Sequence, residues 1–237
     1  MSKKSAKLTV VSIISLFVLI PISLFLILKF SNGSNYYLSA VLMIILSIVP
    51  FFAYFEKRKI KTSEIVIVAM MVALAVAARS VMAFIPQVKP TCALVAVTGI
   101  AFGANVGFVT GALAMFISNF LFGQGIFTPF QMLGMGLVGF FCGVIFYRKK
   151  YSTNRIAVSL VGGALCFAVY GVTVDLCSVI TMVTEFTPKA VLSIFASGVP
   201  FNLIHGITTA IFLFFINKPM TDKFTRLRVK YGIFDME

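Results

Sequence analysis

Runs of about twenty apolar residues, the length a helix needs to cross a bilayer, follow one another along this chain with only short polar gaps between them. No soluble fold hides that much apolar surface: 60% of the 237 residues are hydrophobic, 11% are charged, and the mean hydropathy is +1.05. Alternating polar and apolar strands of the kind a membrane barrel needs are not found in the sequence. The fold class is therefore all-α, a polytopic helical membrane protein.

Eight spans are predicted. The first two are Leu8–Leu28 and Tyr37–Phe55, with the basic stretch EKRKIK at Glu56–Lys61 after them. Lys3, Lys4 and Lys7 ahead of the first run resemble a signal peptide. The run is long and no small-residue cleavage site follows it, so a retained anchor helix is expected. The third span is Thr62–Ile85, with Thr62 or Ser63 as its N-cap. Pro86–Pro90 is read as a rigid extended turn.

Thr91–Phe120 is the ambiguous piece. As one helix of 30 residues it would be about 45 Å long, too long for a hydrocarbon core about 30 Å thick. Two short helices with a turn at Gly103-Ala104-Asn105 put Arg148, Lys149, Lys150 and Arg155 on the same side as Lys57, Arg58 and Lys59, which the positive-inside rule favours. Pro129–Tyr147, Ile156–Thr181 and Ala190–Ile216 complete the set. On this map both termini are cytoplasmic, and sixteen of the 20 Lys and Arg lie inside. The formal net charge of +13 is thus an orientation and lipid-attraction feature, and nucleic acid is not an expected partner.

The polar, weakly charged segments all fall outside. They are Gln87 and Lys89, then Phe120–Met132 with Gln124, Thr128 and Gln131, then Thr184–Thr187. The middle segment is expected to floor or lid an outward-facing pocket, because irregular amide-bearing backbone beside lipid needs protein or water around it. External loops are also polar for no reason beyond solvent. Within the spans, Arg79 and Asp175 sit at matching depths and are expected to face one another beneath the pocket, as an ion pair or as ligand contacts. Asn119 lies near the outer end of its span and reaches toward the same place. Asn202 and His205 are polar within an apolar run, and a lone His there is more often a helix-to-helix hydrogen bond than a ligand.

Ala69, Ala73 and Ala77 are four apart on one helix face, suited to close approach of another helix within or outside the chain. Cys92, Cys142, Cys166 and Cys177 show no metal spacing; Cys142 and Cys166 read as core, and a Cys92–Cys177 disulfide is not expected. Walker A, HExxH and GxSxG sequences do not occur, so neither catalytic residues nor a cofactor or metal is expected, and the chain reads as no enzyme.

Four features together resemble a known family. They are the face Ala69/Ala73/Ala77, PQVKPT at Pro86–Thr91, FGxxxGFxxG at Phe102–Gly111, and FGQGxxTPxQM at Phe122–Met132. This set, across about two thirds of the chain, resembles the substrate-binding S component of energy-coupling factor (ECF) vitamin transporters. The resemblance implies a six-helix unit at 62–217, preceded by two additional helices in 1–61 and followed by a basic tail at 218–237. It implies capture of a vitamin from outside, with cobalamin or a related corrinoid favoured and riboflavin or pantothenate open. It implies docking through Ala69, Ala73 and Ala77 onto a membrane T component carrying two ATPase subunits. Arg79, Gln87, Lys89, Asn119, Gln124, Thr128, Gln131 and Asp175 are the expected substrate contacts. Two competing readings are a non-transporting membrane scaffold and an autonomous secondary transporter, which lacks a convincing pair of inverted repeats.

Overall fold

A computed structural model describes residues 61–183 and 187–234. The two expected N-terminal spans lie outside the described residues. Those that are described form six α-helices, one short 3-10 turn at Lys150–Thr153 and no strand: α1 Thr62–Val81, α2 Thr91–Phe102, α3 Ala104–Phe122, α4 Phe127–Phe146, α5 Arg155–Met182 and α6 Pro188–Tyr231.

The break between α2 and α3 is where chain length and charge required it, and it is tighter than expected. Gly103 alone is non-helical, at φ +104°, a conformation that favours glycine; Ala104 and Asn105 already belong to α3. Twelve residues make α2 only about 18 Å long. It survives because every one of its residues is buried, against α1, α3, α4 and α6. A helix that is apolar all round belongs inside a bundle, and α2 is this bundle's central rod. Its end also has a partner: the Ala101 carbonyl accepts a bond from Arg228 Nη1 at 3.1 Å.

Three boundaries differ from expectation. α1 starts after Lys61 without a side-chain cap and ends at Val81, giving way to turns rather than to extended chain. Gln87 in that connection has φ +59°, the left-handed region. α5 is continuous but carries one wide π turn at Cys166–Tyr170, a distortion often found beside functional sites. α6 does not stop at Ile216. It runs on through Pro219 to Tyr231, 44 residues or about 66 Å. Its far end is held by Phe224 and Phe234, whose rings each lie 5.0 Å from that of Phe102.

α3 and α4 are in backbone contact. A methyl group on Gly107 would lie 2.5 Å from the Gly139 carbonyl oxygen, so the small residues of α3 and α4 set how closely these helices approach. The four cysteines are free and buried.

Candidate functional site

A cavity of about 410 Å³ opens among α1, the α1–α2 connection, α3, α4, α5 and α6. Five of the eight residues expected to contact substrate line it: Arg79, Gln87, Lys89, Gln131 and Asp175. The other three, Asn119, Gln124 and Thr128, do not reach it.

Those three form the bracing behind one wall. Asn119 is fully buried and acts as a hub. Its Oδ1 accepts from Arg79 Nη1 at 2.8 Å, and its Nδ2 donates to Gln131 Oε1 at 2.9 Å and to Thr128 Oγ1 at 3.0 Å. Thr128 in turn donates to Gln124 Oε1 at 2.9 Å, and Gln124 Nε2 donates to the Phe116 carbonyl at 3.0 Å. The polar density of Phe120–Met132 therefore serves mainly to satisfy itself. This segment presents Gln131 to the cavity and fixes Arg79, while residues 121–125 are exposed. It braces the pocket and does not lid it.

The expected Arg79–Asp175 ion pair is not formed among the described residues, although both groups line the same cavity. Arg79 bonds Ser118 and Asn119, and its guanidinium lies 4.8 Å from the centre of the Phe122 ring. Asp175 Oδ2 accepts from Asn202 Nδ2 at 2.7 Å. Two glycines make room for that pair. A Cβ on Gly198 would collide with the Asp175 carboxylate, and one on Gly171 would sit 2.6 Å from Asn202 Cγ.

Beyond Asp175, the wall built by α5 and α6 was not among the expected contacts: Tyr170, Ser178, Ser197, Asn202 and His205. His205 is 5% exposed, its ring meets Tyr170 edge-on at 5.2 Å, and its Nε2 has no hydrogen-bond partner. The rest of the ring makes the helix-to-helix contact expected of it, bonding Cys166 on α5, and His205 lines the cavity as well. Gly198, Asn202 and His205 fall at i, i+4 and i+7, one stripe of a helix, and that spacing was the available clue. Apolar walls come from Met115, Met135, Val174 and Phe201. The mixture of apolar walls with many convergent polar groups suits a small, polar organic solute.

Ala69, Ala73 and Ala77 all lie on the exposed face of α1, with Val66, Met70 and Leu74 beside them. The residues of α1 that pack into the bundle are a different set, Ile67, Val68, Met71, Val72 and Ala75. Among the described residues no group of three or more His, Cys, Asp or Glu is placed to hold a metal.

Comparison with curated proteins and with solved structures finds no match for this chain. A family model described as ECF-type riboflavin transporter, S component, matches residues 59–221, more than two thirds of the chain. It spans α1 through the membrane part of α6, the same helices that enclose the cavity. By that match the chain belongs to the ECF-type riboflavin transporter S component family, a family of membrane transport proteins.

Proposed function

We propose that this chain captures a vitamin of riboflavin's size in the cavity between α1 and α6 and hands it to an ATP-driven importer. The observation that carries the reading is the cavity itself, about 410 Å³ enclosed by the helices that the family model spans, with His205 among its lining residues. Size narrows the choice. Ligand cavities run from about 300 to 1,000 Å³, and this one lies near the lower limit. A flavin or pantothenate is of that order; a corrinoid is several times larger, so cobalamin gives way to riboflavin, the vitamin the family is named for. Arg79, Gln87, Lys89, Gln131 and Asp175 act as contacts in this reading, with Asn202 and His205 added. Asn119, Gln124 and Thr128 act by positioning.

The exposed alanine face supports docking onto a T component with its two ATPase subunits, since a small-residue face turned away from the other described helices is suited to a second membrane helix. Residues 62–217 are the capturing unit, 1–61 an addition to it, and both termini face the cytosol with the cavity opening outward. A scaffold would use the same alanine face but leaves the cavity unexplained.

The test is a titration of the purified full chain in detergent with riboflavin and with cobalamin, read by flavin fluorescence and corrin absorbance. Saturable riboflavin binding that weakens in His205→Ala is expected. Saturable cobalamin binding with none of riboflavin would overturn the size argument, and binding of neither would remove the flavin reading.

A further inference from the structure

The charges around the cavity are unevenly placed. Two cations line it, Arg79 at the end of α1 and Lys89 in the connection to α2. The cavity's acid is Asp175, and its described bond goes to Asn202 on the α6 wall. The Arg79 bonds run to a methionine sulfur, a serine hydroxyl and an amide oxygen, all through Nη1 and all neutral. Lys89 has no described hydrogen-bond partner. Its ammonium titrates below the ordinary lysine range, first because it is partly buried and second because Arg79 is near. Two cations thus share a half-enclosed space with one acid, and neither forms an ion pair among the described residues.

A third positive feature lies beside them. Thr91, the first residue of α2, also lines the cavity, and the N-terminus of this helix has no side-chain cap. Its first amides carry the positive end of the helix dipole. Gln87 and Gln131 supply further amide groups at the same end.

We propose that this end of the cavity is an anion subsite, and that the solute the protein takes carries a carboxylate or phosphate seated between Arg79, Lys89 and the start of α2. The inference rests on the cavity being a solute site, as argued above, and adds the charge of the solute. The anion supplies an ion-pair partner to Arg79 and Lys89, which have none among the described residues. The ring or chain of the solute then lies against Tyr170, Met135 and Phe201, with its polar edge toward Asn202 and His205.

Two sources of such an anion are a phosphorylated flavin and an acid such as pantothenate. Full-length protein and Lys89→Gln are titrated in detergent with riboflavin, riboflavin 5′-phosphate and pantothenate. Thermal unfolding of both proteins is followed with inorganic phosphate against chloride at equal ionic strength. The expected result is that at least one anionic probe binds and that Lys89→Gln weakens it about tenfold or more, the size of losing a bond between charged groups. For the flavin pair, the affinity ratio of phosphate form to parent falls by that factor. Which probe responds identifies the source. Riboflavin binding with an unchanged ratio and no pantothenate binding overturns the subsite and leaves the importer reading standing. If no vitamin binds, inorganic phosphate decides: stabilisation of the wild type that is lost in Lys89→Gln upholds the subsite without the flavin, and equal response of the two proteins overturns it.

Discussion

Replacing Asn119 by alanine removes the hub on which one wall of the cavity depends. Three hydrogen bonds disappear at once, to Arg79, Gln131 and Thr128. Bonds between neutral groups of membrane helices average about 0.6 kcal/mol, so the two amide bonds are worth about 1.2 kcal/mol together. The bond to the guanidinium is stronger, about 1.5–3 kcal/mol, because a buried cation loses an acceptor. Arg79 and Gln131 both border the cavity, and water can replace part of what each loses. The expected destabilisation is therefore about 2–4 kcal/mol. For a chain of this size that lowers the unfolding midpoint by about 4–16 °C. Solute affinity should fall as well, since Arg79 and Gln131 lose their fixed geometry. Asn119→Asp separates the contributions: it keeps an acceptor for Arg79, strengthened by charge, but gives up both donors. It should recover more of the stability than of the affinity, since Gln131 is still unheld. The measurement is thermal unfolding in detergent alongside riboflavin titration. An alanine variant within about 0.5 kcal/mol of the parent, with unchanged affinity, would refute the assignment of Asn119 as a bracing residue.

Further predictions concern packing, charge and partners. Gly107→Ala must move the α3–α4 contact from 2.5 Å to an ordinary 3.4 Å, about 0.9 Å of separation against backbone that no rotamer relieves. A cost of about 1–3 kcal/mol is expected, seen as a lowered midpoint; a neutral result would show that these helices are not in backbone contact. The lowered Lys89 titration has a sign. The folded protein gives up that proton at a lower pH than the unfolded chain, so unliganded stability should rise with pH up to about 10.4 and anion affinity should fall over the same window, both flattened in Lys89→Gln. Ala73→Leu, on the exposed face of α1, should cut recovery of a tagged T component about tenfold in a pull-down; undiminished recovery would move the docking surface elsewhere.

The helix list was legible because bilayer thickness is a hard ruler. Thirty apolar residues between Thr91 and Phe120 did not fit it, and the basic stretch at Arg148–Arg155 decided how the chain broke. At the far end of α6 the helix and the expected span part company. The basic tail after Ile216 marks the expected end of the span, yet tertiary contacts of Phe224 with Phe102 carry the helix past it. The site was half legible for a related reason. Sequence fixes how deep a residue lies in a span but not which way it points. Arg79 and Asp175 share a depth and a cavity, yet Asn119 and Asn202 on neighbouring helices hold them apart. Gln124, Thr128 and Asn119 showed where amides gather, without showing that they answer one another. His205 was assigned the commoner fate of a membrane histidine, and only the packed structure shows that it lines the cavity as well.

The two walls that carry Arg79 and His205 meet again at the opposite end of the bundle. Phe234, three residues beyond the end of α6, donates its backbone amide to Glu64 Oε1 at 2.6 Å, in the first turn of α1. Lys61 Nζ donates to the Gly232 carbonyl at 2.7 Å, and the Phe102 ring lies against both Phe224 and Phe234. The base of α1 is thus tied to the end of α6 through the break between α2 and α3, while the cavity lies between the same two helices higher up. Helices joined at one end resist splaying at the other, so the clamp should matter to solute binding and not only to folding. Core Phe→Ala replacements cost about 3–5 kcal/mol, and a residue close to the chain end relaxes more, so Phe234→Ala should cost about 1–3 kcal/mol. Its riboflavin affinity should drop even well below the unfolding midpoint, through faster dissociation in stopped-flow fluorescence. A lowered midpoint with an unchanged dissociation rate would mean that the clamp holds the tail alone, and that α1 and α6 keep their spacing through α2 and the contacts at its sides.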